Sequence, residues 1–232
     1  MISDPLIWGL GLGPGDPELI TLKALRILQG ADVIVYPQPN DGDSLVRAIA
    51  APYLPGGQAE IPIRAPMSTD PAPAQKAYDK AAVEIGELAG QGKKLAILCE
   101  GDPLFYGSFM YLLDRLAVDW PIGVVPGVSS LGASAAGLHM PLASRNEVVS
   151  VIPAPLEAGE IKRRIQGCDL AAIIKVGRHL DKVLGVLEEL NLTGGARYIE
   201  RASMVDQKIL SMDELVGAKA PYFSIILVPN HD

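Results

Sequence analysis

The residues with the clearest capacity for chemistry are Glu100, Gly101 and Asp102, which directly follow the apolar run Leu95–Cys99. In an open α/β sheet the carboxyl ends of the strands border the crevice where small molecules bind, and a glycine there lets the backbone approach a ligand closely. The same residues could instead form a strand-to-helix turn in which Asp102 caps the helix. Residue type and spacing leave both interpretations open, a ligand site and a capped turn.

A glycine-rich segment, residues 9–16, continues the first apolar run. Its spacing does not fit the dinucleotide fingerprint GxGxxG, because Pro14 or Asp16 occupies the position of the last glycine, and Asp32 precedes the second predicted strand instead of following it. No lysine stands in the GxxxxGK[ST] context of a phosphate-binding loop. What remains is a rigid turn between a strand and a helix, which either packs tightly or contacts a ligand.

Small and polar residues also follow two further predicted strands. Gly127–Ser130 comes after Ile122–Val125, and Glu200–Ser203 comes after Ala196–Ile199. Each segment alone is more typical of a helix cap or turn than of a ligand contact. Because several such segments all follow predicted strands, we expect them to border one crevice.

Apolar runs that contain valine and isoleucine alternate with helical patterns, which indicates βαβ units. The predicted strands are 7–12, 33–36 (ended by Pro37), 95–99, 122–125, 148–152, 170–174, 196–199, 207–210 and 222–228, and the predicted helices begin at Thr21 or cover 74–89, 106–116, 131–137, 157–165 and 180–190. Residues 52–73 are expected to form loops with at most one short strand. Since little helix separates the last three strands, the second half should contain a mixed sheet. The sequence predicts two α/β domains, 1–125 with a mostly parallel sheet and 126–232 with a mixed sheet.

Composition limits the function. Of the 232 residues 49% are apolar, and the formal net charge of −7 counts against a nucleic-acid partner while allowing an acidic small molecule held by local cations. No apolar run approaches the length of a membrane span, and Met1–Pro5 lacks the features of a signal peptide, so we expect a soluble, cytoplasmic protein. The cysteines and histidines are scattered, which predicts reduced thiols and no protein-bound metal. They are Cys99, Cys168, His139, His179 and His231.

Together these segments resemble the motifs of the tetrapyrrole (corrin/porphyrin) methyltransferases, which use S-adenosylmethionine. The resemblance covers nearly the whole chain and is carried by Gly11–Ala24, Ala31–Tyr36, Gly101–Pro103 and Val125–Ser130. Other segments are similar to the branch that methylates precorrin-2 at carbon 20. They are Glu100–Phe109, Pro141–Glu147, Lys175–Leu180, Tyr198–Met204 and Ala220–Ser224.

The resemblance implies a tetrapyrrole methylase-like fold of two α/β domains, with S-adenosylmethionine in a cleft between them, in a homodimer. The cofactor contacts that it implies are Pro14, Glu100, Gly101, Asp102, Phe105, Ser129, Ser130, Val176 and Ala202. Val176 stands where some relatives have methionine, and Glu100 where others have a second glycine. Precorrin-2 is rimmed by carboxylates, which cationic side chains can hold through charge-assisted hydrogen bonds. The candidates are Arg145, Lys175, Arg178, His179 and Arg201, which stand at predicted strand ends or in the branch-like motifs.

The reaction implied is transfer of a methyl group from S-adenosylmethionine to carbon 20 of precorrin-2, giving precorrin-3A for cobalamin biosynthesis. No catalytic residue is assigned, since Glu100, Asp102, Tyr106, His139 or water could remove the carbon-20 proton. Enzymes of the same fold could instead act on cobalt-precorrin-2, another corrin position, a modified histidine or ribosomal RNA, and the acidic charge counts against the last. Alternatives from other classes are a nucleotide-dependent oxidoreductase, disfavoured by the glycine spacing, and a non-catalytic ligand-binding module. The sequence leaves open whether the substrate carries cobalt.

Overall fold

A computed structural model describes residues 5–65 and 72–230 of the chain, and the features noted above at Met1–Asp4 and His231 lie outside these ranges. The chain divides into two compact units, Met1–Ser129 (the N-terminal unit) and Ser130–Asp232 (the C-terminal unit). The division falls four residues after the boundary expected from the sequence. Residues 126–129 belong to the N-terminal unit because the backbone of Gly127 packs against two other glycines of that unit.

The N-terminal unit is built around a five-stranded parallel sheet with the strand order β3-β2-β4-β1-β5. Its elements are β1 (Ile7–Gly11), α1 (Leu22–Gln29), β2 (Val33–Gln38), α2 (Leu45–Ala50), β3 (Ala59–Arg64), α3 (Ala72–Gly90), β4 (Leu95–Cys99), α4 (Phe109–Leu116) and β5 (Ile122–Val125). Alternating side chains of β4 enter different cores: Ile97 packs with α3 and α4, and Leu98 packs with α1 and α2. Both faces of the sheet are therefore covered by helices, which explains why its strands are continuous apolar runs.

The strands β1 and β4 are neighbours whose connections leave in opposite directions. The crossover from β1 leads to β2, whereas the crossover from β4 leads to β5 on the other side of β1. Because parallel crossovers are right-handed, these two connections pass over opposite faces of the sheet. The carboxyl ends of β1 and β4 therefore form a topological switch point, the place where ligands bind in open α/β sheets.

Helix α2 was not predicted, and several boundaries differ from the sequence prediction by one or more residues. Two of these differences have a clear physical reason. Pro37 does not end β2, which continues to Gln38 by pairing with β3 alone, because β4 pairs only as far as Val35. A proline is tolerated where a strand lacks a neighbour on one side. The helix expected from Tyr106 begins only at Phe109, since Tyr106 has a left-handed backbone with φ of 56°, which a helix cannot contain.

The C-terminal unit contains a mixed sheet, as predicted. Its strand order is β6-β7-β10-β8-β9, in which β6 and β7 are parallel and the other neighbours are antiparallel. The elements are α5 (Ser130–Gly137), β6 (Val149–Pro153), α6 (Ala158–Ile165), β7 (Leu170–Ile174), α7 (Leu180–Glu189), β8 (Arg197–Glu200), β9 (Lys208–Leu210) and β10 (Ser224–Pro229). Helices α6 and α7 pack on one face, and α5 packs on the other. The strands β6, β7 and β8 run in one direction and therefore end at the same edge.

Among the helices of the described residues, none has both the length and the apolar character needed to cross a membrane.

Candidate functional site

Three glycines meet where β1, β4 and β5 end. A Cβ atom placed on Gly127 would lie 2.0 Å from the carbonyl oxygen of Gly101 and 2.8 Å from the Cα atom of Gly11. One placed on Gly11 would lie 2.5 Å from the backbone nitrogen of Gly127. Only glycine allows three backbones to pack this closely, so the segments after three adjacent strands touch each other without side chains between them.

A short antiparallel bridge joins the first two of these segments. The N–H of Gly101 donates to the carbonyl of Gly13 at 2.8 Å, and the N–H of Gly13 donates back at 3.4 Å. Both glycines have a left-handed backbone, with φ of 63° and 81°. The glycine-rich segment after β1 is thus a rigid turn, held by the segment after β4.

Asp102 ties the third segment to the second. One oxygen of its carboxylate accepts the N–H of Gly127 at 3.0 Å, and the other accepts the N–H of Leu104 at 2.9 Å. Hydrogen bonds from backbone N–H groups to a carboxylate are stronger than those to a neutral acceptor. The side chain of Asp102 therefore fixes the geometry of the loop. It does not cap the helix as one interpretation of the sequence had it, because α4 begins only at Phe109.

Glu100 is half-buried at the end of β4. Burial raises the pKa of its carboxyl group, and the opposing influence comes from its own backbone N–H and that of Val46 in α2. Burial disfavours the ionised form of a carboxyl group, so Glu100 holds a proton at a higher pH than an exposed glutamate does. A buried carboxyl group at the carboxyl end of a strand is a candidate for a functional role.

The other predicted contacts of the N-terminal unit lie in the same loops. Pro14 is buried next to Gly13, and Ser129 ends the segment after β5. Phe105 and Tyr106 are exposed between β4 and α4, with their rings edge to face at 5.1 Å between centroids. The structure therefore brings Pro14, residues 100–102, Phe105 and Ser129 to the carboxyl ends of neighbouring strands.

In the C-terminal unit, two predicted cations follow neighbouring strand ends. Lys175 comes directly after β7 and Arg201 directly after β8, and both strands flank β10. The predicted cofactor contacts Val176 and Ala202 are the next residues in each case. Both of these side chains are buried in the hydrophobic cores, so a contact with a ligand would use their backbone.

Left-handed backbone marks several of these positions. Lys175 and Arg201 have φ of 58° and 51°, and Arg145 has φ of 49°. Long side chains rarely adopt this conformation, and such strained residues cluster at functional sites. The same conformation occurs at Tyr106, His139, Asn191 and Ser203, so it accompanies the predicted cations without distinguishing them.

The remaining predicted residues are placed differently. Ser130 begins α5, and Arg178 and His179 lie in the one-turn helix Gly177–His179 that follows Lys175. Partial burial lowers the pKa of His179, and the charges of Lys182 and Arg178 lower it further. Arg145 lies in an exposed turn closed by the Ser144 N–H to Glu147 bond, just before β6. That turn adjoins the amino-terminal edge of the sheet, so Arg145 does not join the other cations.

Arg201 already has anionic neighbours. Its guanidinium lies 3.1 Å from the carboxylate of Asp206 and 3.9 Å from that of Glu200. Glu200 is buried and accepts a hydrogen bond of 2.7 Å from the Tyr198 hydroxyl, and burial raises the pKa of Tyr198. This network holds Arg201 at the sheet edge.

Sequence reasoning placed residues 9–16 and 127–130 near the crevice but did not list Gly11, Gly13 and Gly127 among the cofactor contacts. Each contributes backbone packing and no side-chain chemistry, so only the three-dimensional contacts reveal its part. In the sequence, the indication of their role is that each glycine stands at or just after the end of a predicted strand.

Comparison with known proteins gives the family. The model of the Tetrapyrrole (Corrin/Porphyrin) Methylases matches residues 6–215. A cobalamin biosynthesis protein, CobIJ of Mycobacterium tuberculosis, is 39% identical over 96% of this chain and 46% of its own length, so this chain spans about half of that relative. The precorrin-2 C(20)-methyltransferase of Sinorhizobium is 35% identical over 95% of this chain and 94% of its own length. The cobalt-precorrin-2 C(20)-methyltransferase of Salmonella typhimurium is 30% identical, with 96% and 95% covered.

Solved structures share the fold. Cobalt precorrin-4 methyltransferase superimposes with a TM-score of 0.73 at 22% identity, covering 96% of this chain and 94% of its own. Uroporphyrin-III C-methyltransferase of Thermus thermophilus, solved in complex with S-adenyl homocysteine, gives 0.69 at 20% identity and 97% of both chains. The predicted fold of two α/β domains and the predicted family are confirmed. This chain belongs to the tetrapyrrole (corrin/porphyrin) methylases.

Proposed function

We propose that this chain transfers a methyl group from S-adenosylmethionine to carbon 20 of precorrin-2, producing precorrin-3A in cobalamin biosynthesis. The observation that carries the proposal is the 35% identity to a precorrin-2 C(20)-methyltransferase over almost the full length of both chains. The branch-like segments found in the sequence agree with it.

The residues at the carboxyl ends of β1, β4 and β5 fit a methyl donor of this kind. Gly11, Gly101 and Gly127 leave backbone groups and no side chains where their loops meet. Their packing against each other fixes the three loops at the switch point, the place where ligands bind in open α/β sheets. Pro14, Glu100–Asp102, Phe105 and Ser129 are the proposed contacts from the N-terminal unit, and Ser130, Val176 and Ala202 are those from the C-terminal unit.

S-adenosylmethionine would supply an electrophilic methyl group, and the electron-rich ring carbon of the substrate would attack it. A reaction between two bound molecules depends mainly on alignment and on exclusion of water. The contribution of this chain is therefore rigidity. The Gly13–Gly101 bridge and the Asp102 carboxylate hold three loops in one arrangement before any ligand binds.

A proton must leave carbon 20 after methylation. Among the residues considered for this step, both carboxylate oxygens of Asp102 accept backbone N–H groups, whereas the pKa of Glu100 is raised by burial. Burial makes the Glu100 carboxylate a stronger base than an exposed glutamate. Glu100 is therefore the better suited of these two carboxylates.

The substrate's carboxylates would pair with cations. Lys175, Arg178, His179 and Arg201 of the C-terminal unit are proposed for this role, with Arg145 as a further candidate from a different edge of the sheet. A homodimer, a cytoplasmic location and the absence of a nucleic-acid partner stay predictions.

The test is product analysis. The purified chain is incubated without oxygen with precorrin-2 and S-adenosylmethionine carrying a ¹³C-labelled methyl group. Mass spectrometry should show one added methyl per ring, and ¹³C NMR should place it on carbon 20. A methyl group on another carbon, or no turnover, would refute the proposal.

Cobalt-precorrin-2 is the second candidate substrate, because the Salmonella typhimurium relative is named for it. The metal-free and cobalt-containing rings should be assayed side by side under the same conditions. The higher kcat/KM identifies the natural substrate, and we expect it for the metal-free ring because the precorrin-2 relative is the more similar one.

A further inference from the structure

Two large aromatic side chains stand side by side and exposed at the start of β10. Tyr222 is 48% exposed and Phe223 is 44% exposed, and their rings meet edge to face with 5.2 Å between centroids and 82° between planes. Single exposed apolar residues are ordinary, whereas an adjacent pair of rings packed on each other offers a ligand a shaped apolar surface. We call Tyr222 and Phe223 the aromatic platform.

The backbone holds the aromatic platform in place. The N–H of Arg201 donates to the carbonyl of Phe223 at 2.8 Å, and the hydroxyl of Ser224 donates to the carbonyl of Pro221 at 2.6 Å. Gly177, in the segment after β7, lies against the backbone of Tyr222. A Cβ atom placed on Gly177 would be 3.6 Å from the Cα atom of Tyr222. The platform is therefore anchored both to the segment after β7 and to the segment after β8.

Cations flank the aromatic platform. Phe223 directly precedes β10, which lies between β7 and β8 in the sheet. Lys175 follows β7 and Arg201 follows β8, so the two cations lie on either side of the platform's strand. Two strand spacings put their Cα atoms about 10 Å apart. At this separation the two long side chains can reach different carboxylates on the rim of one macrocycle.

The local charge favours an anion despite the acidic chain as a whole. Arg201 pairs with two carboxylates, Asp206 and Glu200, and Glu200 is only 5% exposed and bonded to Tyr198. Lys175 and Arg178 add positive charge on the other side. Precorrin-2 is rimmed by carboxylates, so the cationic side chains of this edge suit the rim of the ring, while the backbone of Val176 and Ala202 is proposed for the methyl donor.

We propose that Tyr222 and Phe223 bind the conjugated ring of the acidic tetrapyrrole substrate, with Lys175 and Arg201 contacting carboxylates on its rim. This assignment rests on the proposed function and adds to it the apolar part of the substrate contact. The two side chains position the substrate and take no part in the chemical step.

The experiment compares the intact chain with Tyr222→Leu, Phe223→Leu and the double variant. Leucine keeps an apolar side chain but removes the flat ring. Steady-state kinetics with precorrin-2 should show KM for the tetrapyrrole raised about five- to tenfold by each single change, the size expected for one aromatic contact. The kcat and the KM for S-adenosylmethionine should stay within twofold of the original values.

Two further variants control for other effects. Tyr222→Phe retains the ring and should keep KM for precorrin-2 within twofold. Ile209→Ala removes a half-exposed apolar side chain from the edge strand β9, away from the platform's own strand, and should leave all constants unchanged. Thermal unfolding of each variant reports whether its fold is intact.

The outcomes separate the two proposals. If the unaltered chain does not methylate precorrin-2, the proposed function fails. If it does so and the leucine variants leave the tetrapyrrole KM unchanged, the platform assignment is wrong. A rise in KM for S-adenosylmethionine alone would assign the platform to the methyl donor and also overturn the proposal.

Discussion

Gly127→Ala probes the glycine contact that joins the loops after β1, β4 and β5. The new Cβ atom would lie 2.0 Å from the carbonyl oxygen of Gly101, whereas real Cβ atoms essentially never approach another atom closer than 3.0 Å. The obstructing atoms belong to the backbone and cannot rotate away as a flexible side chain would. The loops must therefore separate by about 1 Å or more, because a backbone contact can be relieved only by moving the chain.

This movement of the loops determines how much stability the substitution removes. Separation by that distance breaks the 3.0 Å hydrogen bond from Gly127 to the Asp102 carboxylate. A hydrogen bond to a charged group contributes about 1.5–3 kcal/mol, and crowding adds about 1–3 kcal/mol. We expect Gly127→Ala to lower the free energy of unfolding by about 3 kcal/mol, a large part of the total for most domains.

Chemical denaturation followed by circular dichroism measures the change, and Gly185→Ala is the matched control. Gly185 lies inside α7, and a Cβ atom placed there meets nothing within 4 Å. Alanine should stabilise this helix by about 0.5–1 kcal/mol. Opposite signs are thus expected for the same chemical change at two glycines.

Calorimetric titration with S-adenosylhomocysteine then tests the link to function. Gly127→Ala should weaken binding at least tenfold, and Gly185→Ala should leave it unchanged. If Gly127→Ala were as stable as the unaltered chain and bound the ligand equally well, the account of the glycine contact as a rigid part of the binding site would be refuted.

Three further predictions concern single polar groups. Asp102→Asn puts an amide NH₂ where a carboxylate oxygen accepts a backbone N–H. Thermal unfolding should show a loss of stability of about 1.5–3 kcal/mol, and S-adenosylhomocysteine should bind more weakly. Unchanged stability and affinity would contradict the role given to Asp102. Glu100→Gln should raise stability at neutral pH, because burial raises the pKa of Glu100 above its ordinary value of 4.5 and penalises the ionised form in the folded state. The cost of ionising Glu100 in the folded state is complete above the folded-state pKa and absent below the unfolded-state pKa. The stability gained by Glu100→Gln should therefore disappear when denaturation is measured below about pH 4. A gain in stability that does not depend on pH would contradict this explanation. Tyr198→Phe leaves the buried Glu200 carboxylate without its 2.7 Å hydrogen bond and should lower the free energy of unfolding in urea by about 2–3 kcal/mol. Unchanged stability would show that Arg201 and Lys208 alone compensate the buried charge of Glu200.

Local patterns account for most of the helices and strands. Apolar runs such as Leu95–Cys99 became strands because both faces of a parallel sheet are buried, and the Thr21 hydroxyl caps α1 by accepting the N–H of Ala24 at 3.2 Å. The boundaries at Pro37 and Tyr106 differed from the prediction because β2 lacks a neighbouring strand on one side there and because Tyr106 has a left-handed backbone. Those circumstances arise from contacts between distant segments, which local pattern cannot specify.

The sequence by itself determined the two α/β halves, the residue types at the strand ends and the resemblance to the tetrapyrrole methylases. These are properties of short segments, in which burial, turn chemistry and motif spacing are all local. Only the tertiary structure decided which strand ends are neighbours, and so which residues meet. It placed Gly127 against Gly11 and Gly101, left Arg145 at another edge from Lys175, and exposed the aromatic platform. The physical reason is that strand order and backbone packing depend on residues about a hundred positions apart, so the same motifs acquire their function only when the sheets have formed.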